Sequence, residues 1–262
     1  MGFLPMKKTV LFWSLAFIIT IASAVYQRVT GPTYPQSGSL PSWYGKTINY
    51  KFERSHTTSS NYLIEINTGD ENIGGSLHWR HYNTNEEYST IEMTGGKTLK
   101  AELPAQKRLV KLEYYVTLYK KDTTNVTAVI PAEPIVIRFK DDVPIAVLIP
   151  HVFFMFFAMM ISTRTGLEYW GEGKNLTKLA TWTVIVLFIG GFALGFAMNG
   201  YAFGDIWGGW PFGTDVTDNK TQVAFIGWLI AFFMIKKNKS PKLAVLLAAL
   251  LLLAVYMIPH SL

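Results

Sequence analysis

The chain has 262 residues, 50% of them hydrophobic and 15% aromatic, with no cysteine, a net charge of +6 and a mean hydropathy of +0.21. Without cysteine, disulfides, thiolate metal sites and cysteine nucleophiles are excluded. The positive balance does not imply nucleic acid: Lys7, Lys8, Arg164, Lys174, Lys178, Lys236, Lys237, Lys239 and Lys242 flank apolar runs on one side, against Lys220 in the short loops of the other, which is the asymmetry that orients membrane spans.

Residues 9–25 are an apolar run behind Lys7 and Lys8. Ala22-Ser23-Ala24 matches a signal-peptidase site, so a cleaved signal peptide is one reading. The length of the run and its Phe12, Trp13 and Phe17 favour the other, an uncleaved anchor over residues 1–25 with a cytoplasmic N-terminus. Residues 26–42 are rich in Gly, Pro, Ser and Thr and read as a linker that Pro32 and Pro35 keep extended.

From residue 43 to 142 charge rises and short alternating runs appear. Strands are predicted over 47–52, 61–67, 75–82, 88–93, 99–103, 110–119 and 135–140. In the sixth, Leu112, Tyr114, Val116 and Leu118 share one face and Glu113, Tyr115, Thr117 and Tyr119 the other, the period of two of a half-buried strand. Trp79 and Leu112 are expected in the core. Many short strands with no helical period predict an all-β sandwich of about 100 residues.

A resemblance points the same way. Leu77-His78-Trp79-Arg80-His81-Tyr82, the strand from Tyr88 to Met93, Leu103-Pro104-Ala105-Gln106 and Leu112-Glu113-Tyr114-Tyr115-Val116 occur in that order. This series resembles the fibronectin type III/immunoglobulin-like modules of exported bacterial proteins. The resemblance covers residues 43–140 and implies an exported β-sandwich that binds or spaces other proteins.

Asp141-Asp142-Val143-Pro144 then opens a helix, with acids at the cap and proline in the first turn. Spans are predicted over 143–162, 179–198, 222–235 and 243–258, the third of these short unless residues 216–220 extend it. The last has no polar face and reads as lipid-exposed. Gly191 and Gly195 allow close helix contact within the chain. The fold class is therefore an α+β membrane protein: an N-terminal anchor, an extracytoplasmic all-β sandwich, and a four-helix transmembrane bundle over residues 143–262. The outer loop, residues 199–221, carries Phe203, Trp207, Trp210 and Phe212 with Asp205, Asp215 and Asp218. It reads as a folded cap on the membrane or the wall of a site, with Asp218 as the cap of the following helix.

One residue divides the functional readings. His151 follows Pro150 inside a predicted span, in line with Met155 and Met159 at intervals of four. An intramembrane ionisable group is a functional candidate, and imidazole with thioethers suits copper(I). The structural alternative has His151 bonding a carbonyl freed by Pro150, that of Ala146. A bis-histidine haem b from His151 and His260 is a further alternative. His56, His78 and His81 read as surface residues, the last two pointing to opposite faces of one strand. No Walker loop, nucleophile elbow, HExxH or dinucleotide fingerprint is present, so no enzyme is favoured and no cofactor is predicted. The favoured function is a membrane scaffold or accessory subunit of an envelope complex, held in a bilayer (that of a bacterial inner membrane) and recognising a protein partner. A copper or haem b protein for redox chemistry or metal handling is the alternative.

Overall fold

The computed structural model describes residues 4–43, 45–122, 127–239 and 241–258. The chain divides into two compact units, Thr33–Asp142, built of strands, and Met1–Pro32 with Val143–Leu262, built of helices.

The β unit comprises β1 (Gln36–Trp43), β2 (Lys46–Phe52), β3 (Ser55–Thr57), β4 (Tyr62–Asn67), β5 (Ile73–His81), β6 (Ser89–Glu92), β7 (Thr98–Leu103), β8 (Lys111–Lys120) and β9 (Thr127–Lys140). Five strands form one sheet in the order β3-β9-β8-β5-β6, while β4 pairs with β7 and β1 with β2. Every pairing is antiparallel except that of β3 with β9. Alternation along β8 buries Leu112, Tyr114, Val116 and Leu118 completely, and Ile64, Ile66, Leu99 and Leu103 from β4 and β7 join the same cluster. Two sheets thus bury their apolar faces in one core. Leu112 lies in that core as expected, but Trp79 packs half-buried at its margin.

Three strands depart from the sequence reading. Helix α1 (Leu4–Thr30) runs past residue 25 and β1 begins at Gln36, so much of the expected linker is regular structure. The proline signals at Pro32 and Pro35 mark the turn before β1 rather than an extended spacer. The short β3 has too few residues to show a period. Strand β9 starts eight residues before the predicted 135 because a bulge interrupts it: Tyr114 pairs with Ile135 and Val116 with Ile130, so Tyr115 faces Pro131-Ala132-Glu133-Pro134.

The helical unit continues with α2 (Ile145–Gly166), a 3₁₀ turn (Leu167–Trp170), α3 (Leu176–Phe188), a π-helical segment (Ile189–Leu194), α4 (Gly195–Phe203), α5 (Val216–Lys236) and α6 (Pro241–Met257). Three helical stretches, Lys8–Thr30, Ile145–Trp170 and Leu176–Phe203, are long and apolar enough to cross a membrane. Helix α6 is a shorter apolar helix, and α5 begins at Val216, so that the polar residues 217–220 lengthen the helix ahead of its apolar run.

Helix α2 packs on α1, α3 and α6, and α5 packs on α3 and α6. The seams are lined by small residues: Ala158, Ala180, Ala224, Ala231, Ala244, Ala248 and Ala249 are all buried. A side chain at Gly166 would meet the Ala249 Cβ at 2.5 Å, so α2 and α6 touch backbone to methyl there. Helix α6 is thus not simply lipid-exposed. Ala244, Ala248 and Ala249 with Val245, Leu252 and Tyr256 form a packed face, and Leu243, Leu247 and Leu250 form the exposed one.

Candidate functional site

The functional readings divide on His151, in α2. Pro150 lies inside α2, which continues through it. His151 does not reach back to Ala146. Its Nδ1 lies 3.0 Å from the carbonyl oxygen of Gly190, in the π-helical segment. A carbonyl only accepts, so Nδ1 carries the proton and Nε2 is left with the lone pair. Met155 meets the same residue: a side chain at Gly190 would stand 3.0 Å from the Met155 Sδ. His151 and Met155 therefore converge on Gly190, while Met159 is buried in the helical core among residues such as Ala158 and Trp228. His260 lies outside the described residues. Among those described, no three His, Cys, Asp or Glu side chains cluster as a metal site.

The loop after α4 folds back on the helices. Gly204 ends α4 with φ of +86°, a left-handed cap that glycine adopts without strain. Trp207 stacks on Phe192 at 5.6 Å and meets Phe196 edge-on, so one loop aromatic joins the helical packing. Trp210 and Phe212 remain 67% and 85% exposed. The cap of α5 is Asp215, whose Oδ1 accepts from the N–H groups of Thr217 and Asp218 at 2.8 and 2.9 Å. The helix starts earlier than its apolar run, which moves the cap three residues upstream of the predicted Asp218. Asp218 is instead a buried tie: its carboxylate accepts from Asn199 Nδ2 at 2.9 Å and from the Gly208 N–H at 2.7 Å. It joins α4, the loop and α5.

A second tie was invisible in the sequence. Arg164, expected as a cation flanking an apolar run, is 3% exposed. Its Nη2 donates to Glu168 Oε1 at 2.7 Å, and Glu168 Oε2 accepts from the Gly173 N–H at 3.0 Å. The rings of Phe12 and Trp13 lie 5.3 and 5.6 Å from the guanidinium, which binds α1 to α2 through cation–π contact.

The richest polar array belongs to the β unit, on the outward face of the five-stranded sheet. Because Leu112, Tyr114, Val116 and Leu118 face the core, Glu113, Tyr115, Thr117 and Tyr119 face away. Their neighbours on β5 are Arg80, His78, Ser76 and Gly74, in register. The His78 ring lies 2.9 Å from Thr117 Oγ1 through Nε2 and 3.0 Å from Thr90 Oγ1 through Nδ1, and stacks on Tyr115 at 4.8 Å. Burial pushes its pKa below the ordinary histidine value, against a smaller opposing pull from Glu92. Glu113 accepts from Arg80 Nε and, at 2.9 Å, from the Tyr88 hydroxyl, with the Arg80 guanidinium over the Tyr88 ring at 4.4 Å. At the other end Glu92 accepts from Ser76 and Tyr119 at 2.8 and 2.9 Å. His78 is thus clamped in a ladder rather than being an ordinary surface residue. His81 does face the other way, paired with Glu86 at 2.8 Å. The sequence signal was the second face of the period-two run, read only for its burial.

Fold and site together describe a chain with helices able to span a membrane and a separate β unit with a preorganised polar and aromatic face. Neither a protein-family model nor a curated protein matches this chain.

Proposed function

We propose that the protein is an integral membrane scaffold or accessory subunit of an envelope complex, and that its β unit recognises a protein partner. The observation that carries this reading is the sheet face centred on Arg80, Tyr88, His78 and Tyr115. Tyrosine and arginine dominate binding hot spots, and side chains already fixed by hydrogen bonds and stacking lose little entropy on docking. The strand order, with a parallel β3–β9 edge and a separate β4–β7 pair over a common core, supports an immunoglobulin-like or fibronectin type III-like sandwich. The helical unit is read as an anchor plus a four-helix transmembrane bundle. Exposed Lys8, Lys174, Lys178, Lys236, Lys237 and Lys239 support a cytoplasmic N-terminus and an extracytoplasmic β unit, in keeping with a bacterial inner-membrane protein.

The test is capture from native membranes through a photoreactive residue at Thr90, which borders the face. One specific adduct is expected. Arg80→Ala or Tyr115→Ala should weaken the purified partner's binding by about 2 kcal/mol, roughly thirtyfold in affinity. Lys97→Ala, on a different turn, should leave it unchanged. Equal binding by all three variants would remove this face from the interaction.

One observation favours a second reading, a metal or haem b centre. The bond from Nδ1 to Gly190 fixes the His151 tautomer and presents Nε2, the arrangement by which backbone carbonyls orient ligating histidines. Met155 beside it is the companion for copper, and His260 for haem. On the scaffold reading, His151→Gln keeps a donor toward Gly190, lowers stability by no more than about 1–2 kcal/mol, and changes no metal content. Stoichiometric copper or a Soret band in purified wild type, lost in His151→Gln, would establish the centre instead.

A further inference from the structure

The end of the β unit nearest its exit into α2 carries an unusual loop. Residues 104–110 lead from β7 to β8, and Leu109 at the tip has φ of +69° and is 51% exposed. Positive φ is uncommon for a branched aliphatic residue, and it holds an apolar side chain in the open. The conformation is fixed from below: the Leu109 N–H donates to Phe139 O at 2.9 Å, and the Val110 N–H to Lys107 O at 3.2 Å. Lys107 and Arg108 beside it are exposed. Together with Thr58, Ala105, Gln106 and Asp141 they line an open depression of about 560 Å³.

The same place is tied to Asp141 and Asp142, the last residues of the β unit. Arg108 Nη1 lies 3.3 Å from Asp141 Oδ2, and Thr58 Oγ1 donates to the other Asp141 oxygen. Asp142 accepts from Thr57 and Ser59 at 2.8 and 3.1 Å. Helix α2 begins at Ile145. Four residues of chain span at most about 14 Å, so Asp141 and its partners stay within that reach of the first helical turn. Ile145 and Ile149 in the first turns of α2 are 70% and 62% exposed, as expected where hydrocarbon begins. A headgroup layer flanks that hydrocarbon. The charge around the loop leans basic, with Lys107, Arg108 and Lys140 against Asp141 and Asp142. Exposed Lys107 and Lys140 have no carboxylate partner among the described ion pairs, whereas Asp141 is held by Arg108 and Thr58 and Asp142 by two hydroxyls.

We propose that the loop at residues 104–110 is a membrane-surface contact, in which Leu109 enters the lipid interface and Lys107 and Lys140 bind the phosphates of anionic headgroups. The contact rests on α1 and α2 being membrane spans and is independent of partner recognition by the sheet face. It is the combination that interfacial segments use, an apolar tip with basic residues around it.

The full chain contains no cysteine, so Leu109→Cys and Lys97→Cys each create a unique site for a nitroxide spin label. Each labelled protein is reconstituted in nanodiscs of phosphatidylcholine, with and without phosphatidylglycerol. Accessibility to oxygen and to a nickel chelate is then compared. The label at 109 is expected to shift toward oxygen and away from nickel when phosphatidylglycerol is present, while the label at 97 stays water-exposed. Lys107→Glu with Lys140→Glu leaves the Arg108–Asp141 pair intact and should abolish the shift at 109. The unchanged spectrum at 97 shows that this variant is folded. Water exposure at 109 equal to that at 97 in both lipids, or a shift at 109 of equal size in both lipids, overturns the proposal. So does immobilisation at 109 that occurs only in native membranes, which would assign the loop to a protein partner.

Discussion

Glu168→Ala is expected to destabilise the helical unit by about 3–5 kcal/mol, because it strands a buried guanidinium. Arg164 has a single carboxylate partner, and its Nε and Nη1 are buried with no hydrogen-bond partner among the described residues. Removing Glu168 also leaves the Gly173 N–H without its acceptor. Glu168→Gln keeps one accepting oxygen for the two donors, sets an NH2 group where the other oxygen stood, and should fall between wild type and alanine. Arg164→Met combined with Glu168→Met removes both charges from the buried site and should cost less than Glu168→Ala alone, as apolar replacement of a buried pair generally does. Thermal unfolding of the four proteins in one detergent measures the series. If Glu168→Ala lies within about 1 kcal/mol of wild type, the pair is hydrated rather than buried.

Tyr114→Ala in the β unit should have an effect of similar size, about 3–5 kcal/mol, from loss of a large side chain at the centre of the core. Tyr114 is completely buried, edge-on to Phe52 at 5.8 Å and to Tyr62 at 6.2 Å. Its hydroxyl donates to the Glu53 carbonyl at 2.8 Å, and burial pushes its pKa well above the usual tyrosine value. Tyr114→Phe keeps the ring and loses only that bond, at about 1 kcal/mol. Urea-dependent proteolysis of the β unit within the full-length protein separates the two. Equal losses for Phe and Ala would mean that the hydroxyl, not the ring, holds the sheets together.

What the sequence made legible follows the two periods that burial imposes. Residues 112–119 alternate because one face of β8 is core, and the apolar runs of α1, α2 and α3–α4 are long because little else than side-chain hydropathy distinguishes a spanning helix. Where burial gives no period, the reading failed. Strand β1 follows two prolines and has few apolar residues, so its pairing with β2 supplies what its composition does not. The Pro131-Ala132-Glu133-Pro134 bulge breaks the alternation of β9. Arg164 was read as a flanking cation and Asp218 as a helix cap; each is buried through partners that no local pattern names, Glu168 with Phe12 and Trp13, and Asn199 with Gly208. The outward tyrosines of β8 were visible as residues, but the ladder needs β5 and β6 in register. His151 was singled out from its place in a span, yet its partner lies 39 positions along the chain.

The π-helical segment, residues 189–194, sets the phase of everything that follows it. A π turn accommodates one residue more than an α turn, so it works as an insertion absorbed without unwinding the helix. Upstream of it α3 packs through Ala180, Thr183 and Leu187. Downstream, Asn199 points to Asp218. Deleting one residue between 189 and 194 would restore an unbroken α-helix and turn Asn199 by about 100° around the axis, away from its carboxylate partner. The Gly190 carbonyl opposite His151 belongs to the same segment. The tie between α4 and the buried Asp218 therefore depends on a single supernumerary residue, an offset in count that lies beside the carbonyl facing His151.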